Sequence, residues 1–208
     1  MCALMKCNST FWVLALIGIG GLAIVLAGGS SIADDHDEDK VEIGDKVPDF
    51  EMSDTEGNTH KLEDFEDKIV VLSFYSQHCP WIIGHDPHMN ALAKEYMEKD
   101  IVFLGIDAHA GRSLEAIEEH RKEVGVPYPI LKDVDNKYAD KMNAKVTPEI
   151  YIVDKEGNLV YHGAFDNRTS PRDEGEVNYV KNALDALLDG NDIDEPRVQA
   201  WGCGIVRI

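Results

Sequence analysis

The sequence predicts an α/β fold in which a mixed central β-sheet carries helices on both faces. Three observations lead to it. The runs Ile69–Tyr75 and Ile101–Asp107 are almost continuously apolar, the pattern of strands covered on both sides. Between them Met89, Leu92, Ala93, Tyr96 and Met97 recur at helical spacing as one apolar stripe. Later, Glu149–Val153 and Leu159–Gly163 flank Lys155-Glu156-Gly157-Asn158, a strong hairpin signal. Strand–helix–strand order calls for parallel pairing in the middle of the sheet, and the late hairpin adds antiparallel strands.

The remaining elements follow in order. Asp49-Phe50-Glu51-Met52 and Thr59-His60-Lys61-Leu62 flank Glu56-Gly57-Asn58, which predicts a short N-terminal β-hairpin. Pro87 falls within the first helical stretch, where a missing N–H and ring clash predict a kink or a restart. Ser113 is placed to cap a helix running to about Glu123, with Gly125 closing it. Tyr128-Pro129-Ile130-Leu131 reads as an edge segment, and Lys137 to Met142 as a brief helix. Val177, Val180, Leu184, Leu187 and Leu188 mark a last helix stopped at Gly190. There is no internal repeat.

The ends are organised differently. Lys6, an apolar run from Phe11 and the small-residue site Ser31-Ile32-Ala33 form the pattern of a secretory signal, residues 1–33, cleaved after Ala33. The alternative is an uncleaved anchor, because 11–29 is long enough to span a bilayer. An exported protein, periplasmic or extracellular, is expected either way, with membrane contact only through that segment. Residues 34–40 are a charged spacer, 41–190 the folded domain, and 191–208 a C-terminal tail. The formal charge is −19, and loss of Lys6 with the signal leaves −20, so a nucleic-acid partner is disfavoured. Cleavage also removes Cys2 and Cys7, leaving Cys79 and Cys203 in a setting where two cysteines tend to pair.

Cys79 follows the first long strand and opens the next helix, with Pro80 suited to the first helical position. Unpaired backbone N–H groups and the positive helix end favour thiolate over thiol there, making the sulfur a nucleophile. A buried structural cysteine is the competing reading.

Val47-Pro48-Asp49-Phe50, the strand to Tyr75, Cys79-Pro80 and Thr147-Pro148 together resemble the thioredoxin-like redoxins of the alkyl hydroperoxide reductase/thiol-specific antioxidant type. Exported thiol–disulfide oxidoreductases are related to these. The resemblance covers about 41–190 and implies a thioredoxin-like fold. Gly163-Ala164-Phe165-Asp166-Asn167-Arg168 and Gly202-Cys203-Gly204-Ile205 are similar to a subgroup with a His-Cys-Pro core and a Gly-Cys tail. It further implies a cis peptide at Thr147–Pro148, with the Thr147 backbone offered to an extended substrate strand. Two departures stand out. The Cys-x-x-Cys second position is Ile82, and the positions seven and three residues before the cysteine, Pro and Thr in peroxiredoxins, are Leu72 and Ser76.

Cys203 is therefore the candidate resolving thiol on a glycine-flanked tail able to swing to the helix start, since a mixed disulfide or sulfenic acid is discharged by a second thiol. A permanent structural Cys79–Cys203 bridge is the alternative. Trp81 reads as a substrate-facing or a packing aromatic. His78 and Glu149 are candidates for proton transfer, and Asp107 and His109 fall at a strand end near where α/β sheets bind ligands. His85 and His88, with Cys79, are weak metal candidates; no metal or other cofactor is expected. The resulting expectation is a thiol oxidoreductase acting on a protein thiol or disulfide and re-reduced by an unidentified electron donor. The alternatives are a thiol peroxidase acting on a small peroxide, or a non-enzymatic scaffold.

Overall fold

The computed structural model describes residues 41–207, all within one compact unit. The signal or anchor and the 34–40 spacer lie outside the described residues. Among the described residues no helix is long and apolar enough to cross a membrane.

The central sheet is built on β3 (Ile69–Tyr75), every residue of which is buried. It pairs in parallel with β4 (Ile101–Asp107), which pairs in parallel with β5 (Ile130–Lys132). On its other side β3 pairs antiparallel with β7 (Glu149–Val153), and β7 with β8 (Leu159–Gly163). The order β5-β4-β3-β7-β8 is the mixed sheet expected from the apolar runs and the late hairpin. The N-terminal hairpin of β1 (Glu51–Ser53) and β2 (Thr59–Lys61) forms its own two-stranded sheet.

Side chains alternate across the sheet because strand periodicity is two. Ile69, Val71 and Tyr75 face a core with α1 (Pro80–Met97), α2 (Leu114–Val124) and α4 (Tyr179–Asp189). Val70, Leu72 and Phe74 face a second core with Phe50, Met52 and α3 (Lys137–Lys141). Helices thus lie on both faces. Caps set their ends: Ser113 Oγ accepts from Ala116 N–H at 3.3 Å, and Asn178 Oδ1 from Lys181 N–H at 2.9 Å. Gly125 and Gly190 close α2 and α4 at φ 68° and 71°, conformations that favour glycine.

Two sequence expectations need correction. α1 does not restart at Pro87 but runs as one helix from Pro80 to Met97. The carbonyl that loses its donor belongs to Ile83, an exposed residue on the outer side of the helix, where water can satisfy it. α4 begins at Tyr179 rather than Val177, because the Asn178 cap fixes its start.

Candidate active site

Cys79 is the residue that begins α1, with Pro80 at the first helical position. Its N–H donates to the Ser76 carbonyl at 3.0 Å and its carbonyl accepts from Ile83 N–H at 3.1 Å, so its backbone is fixed on both sides. Its Sγ lies 3.0 Å from the Thr147 carbonyl oxygen and 2.6 Å from Cys203 Sγ. Thr147–Pro148 is cis. The topology therefore gathers three distant segments at one helix start.

The tail makes this possible by being a strand. β9 (Cys203–Gly204) pairs antiparallel with β6 (Val146–Thr147), placing Cys203 opposite Thr147. Ile205 N–H donates to Lys145 O at 3.0 Å, and Val198 N–H to His162 O at 3.1 Å. A Cβ at Gly202 would stand 2.3 Å from the Thr147 oxygen, and one at Gly163 2.0 Å from the Val198 oxygen. Both glycines are there so that the tail can approach. The sequence suggested a tail free to swing; in this structure it is docked, on the Thr147 edge where an extended substrate was expected. It leaves Cys79 only 2% exposed, Pro148 buried and Cys203 partly exposed.

A clasp missed by sequence reasoning holds the tail. Arg168 forks onto Asp166, Nε to Oδ1 at 2.8 Å and Nη2 to Oδ2 at 2.6 Å, while Nη1 donates to the Gly84 carbonyl at 2.9 Å. Trp201 Nε1 donates to Asp166 O at 2.8 Å, the Arg168 guanidinium lies 5.1 Å above its ring, and Trp81 stacks on it at 5.0 Å. The signal was present in the 163–168 stretch, but its partner, Trp201, is 33 residues further on than Arg168, beyond any local pattern.

The other expected residues distribute unevenly. Glu149 is buried; its Oε2 accepts from Lys145 and Val146 N–H, and its Oε1 meets His162 Nε2 at 2.6 Å and the Tyr151 hydroxyl. Burial pushes its carboxyl up, yet the His162 contact and the two amides outweigh this and hold it below the ordinary range. Its Oε2 contacts fix the loop bearing Thr147, while its Oε1 contacts tie it to β7 and β8. His78 is exposed and close enough for its charge to act on His109. Asp107 is fully buried against Lys132 Nζ at 2.8 Å. His85 points inward, edge-on to Phe165 at 4.6 Å, and burial lowers its pKa. His88 instead lines a surface groove with Ile83 and Arg172. Among the described residues no three His, Cys, Asp or Glu side chains are grouped to hold a metal ion.

Burial first, then the neighbouring Cys79, pushes the Cys203 thiol from 9.0 up to about 11. Because the folded value lies above the unfolded one, this contribution to the stability of the reduced protein is fully present below pH 9 and lost as pH rises toward 11. Alkylation of Cys203 in the reduced native protein is expected to rise through about pH 11, and through about pH 9 in denaturant. Iodoacetamide rates followed by peptide mass mapping across pH check this; coincident profiles would refute it.

Residues 43–162, more than half of the chain, match the AhpC/TSA family. The chain belongs to the AhpC/TSA family. Thiol-disulfide oxidoreductase ResA of Bacillus cereus is 28% identical to this AhpC/TSA member over 124 residues, 60% of this chain and 70% of ResA. An uncharacterised conserved protein of Geobacillus kaustophilus superposes with a TM-score of 0.75 at 30% identity, covering 80% of this chain and 93% of its own. A hypothetical protein of Sinorhizobium meliloti does so with a TM-score of 0.75 at 28%, covering 81% and 96%. The thioredoxin-like fold implied by the core motifs is the fold present.

Proposed function

We propose that this AhpC/TSA protein is an exported thiol–disulfide oxidoreductase in which Cys79 is the nucleophile and Cys203 the resolving thiol. One observation carries the reading: the two sulfurs, 124 positions apart in sequence, stand 2.6 Å from each other at the start of α1. The ResA likeness supports the reaction class, and the apolar segment 11–29 with its small-residue site supports export.

The chemistry follows from the contacts. Cys79 Sγ, acting as thiolate, attacks one sulfur of a substrate disulfide. A mixed disulfide forms on Cys79, and the first substrate thiol leaves with a proton. Cys203 then loses its proton and attacks Cys79 Sγ, the second substrate thiol departs, and a Cys79–Cys203 disulfide remains. The substrate has gained two electrons and the enzyme has lost them. Glu149 acts by positioning, since its carboxylate holds the amides of Lys145 and Val146 and so the Thr147 carbonyl beside Cys79. Trp81 and Trp201 stack on each other and pack against the core cluster that includes Cys79.

The test is a single turnover of the reduced chain with a small dithiol-forming disulfide. The expected product is one Cys79–Cys203 linkage per chain with stoichiometric release of substrate thiol. A linkage that forms without substrate reduction, or that no dithiol can reopen, would leave a structural bridge instead.

A further inference from the structure

A disulfide between these cysteines must be reopened for a second turnover, and the two sulfurs offer unequal access. Cys79 is 2% exposed, with the Thr147 carbonyl 3.0 Å from its sulfur and the Trp201–Cys203 segment packed over it. Cys203 is partly exposed, and Gly204 beside it is exposed and open, with no atom within 4 Å of where a Cβ would stand. The edge of β6 that could receive a partner strand is already taken by β9. A partner therefore meets the tail before it meets Cys79.

We propose that in the oxidised protein the sulfur attacked by external thiols is Cys203, so that electrons enter from a dithiol donor through the tail. This rests on the Cys79–Cys203 cycle above. The donor thiolate bonds to Cys203 Sγ, the Cys79–Cys203 bond breaks, and its electron pair leaves on Cys79. The donor's second thiolate then attacks the donor sulfur held on Cys203. Cys203 is released and takes a proton, and the donor departs as a disulfide two electrons poorer. The Cys79 sulfur departs onto the start of α1, where the helix end can receive its charge.

The experiment uses the full oxidised chain with glutathione as the probe. Samples are quenched in acid over a series of short times, alkylated at low pH and digested, and the glutathione adduct is located by mass spectrometry. At the earliest times the adduct is expected on Cys203, with Cys79 alkylated, in at least about tenfold excess over the reverse arrangement. An adduct chiefly on Cys79, or an even split, overturns the proposal while leaving the cycle intact. A bond that yields no adduct and no free thiol overturns the cycle itself.

Discussion

Cys79→Ser is expected to abolish disulfide turnover, lowering the rate by at least about a thousandfold, because in the proposed cycle it removes the atom that bonds to substrate. Serine is nearly isosteric and the backbone of residue 79 is fixed by Ser76 and Ile83, so the fold should survive. Cys203→Ser should behave differently. Its first step proceeds, and the protein accumulates as a mixed disulfide on Cys79 with one equivalent of substrate thiol released. Steady-state rates with intact mass measurement separate the two variants. Equal retention of activity in both would remove the assigned roles, since no other described cysteine is present among residues 41–207.

The second large effect is on stability. Arg168 and Asp166 are 4% and 3% exposed, and three nitrogen–oxygen contacts and the Gly84 carbonyl satisfy them. Arg168→Ala leaves a buried carboxylate unpaired, which costs about 3–5 kcal/mol and lowers the midpoint of thermal unfolding by about 10 °C. Combining it with Asp166→Asn should recover part of the loss, because the uncompensated charge is gone. Thermal unfolding of the two variants decides this, and an unchanged midpoint in Arg168→Ala would show the pair to be dispensable. The same variant frees Trp201, which hangs from Asp166 O and lies under Arg168, so faster alkylation of Cys79 should accompany the loss.

How much of this was legible in the sequence follows from the range of each interaction. β3 and β4 declared themselves because a strand buried on both faces needs apolar residues at consecutive positions, and Ile69–Tyr75 supplies them. The β7–β8 hairpin and the Ser113 and Gly125 helix ends rest on contacts a few residues apart, and they appear where expected. The restart expected at Pro87 is absent because the Ile83 carbonyl that loses its donor belongs to an exposed residue and can meet water. Cys79 was found from its place at a helix start. Cys203 entered by counting thiols and by the resemblance of its Gly-Cys tail to a redoxin subgroup, and nothing local distinguished a docked strand from a loose tail. Its register is set by Gly202 and Gly163, whose missing side chains make sense only beside Thr147 and Val198. Asp166, Arg168 and Trp201 were invisible as a unit for the same reason.

The path of the tail before it reaches Cys203 has a consequence unrelated to thiols. β8 is the outermost strand on one side of the sheet, and residues 196–198 run along it, bonded through His162 and bridging at Arg197. On the opposite side β5 is bridged at Leu131 by Asp54. Both margins of the sheet are thereby screened from pairing with a neighbouring molecule, the usual route by which exposed strands seed aggregation. Any event that peels the tail away uncovers one of them, so the segment that delivers a sulfur to α1 also guards the colloidal behaviour of the chain.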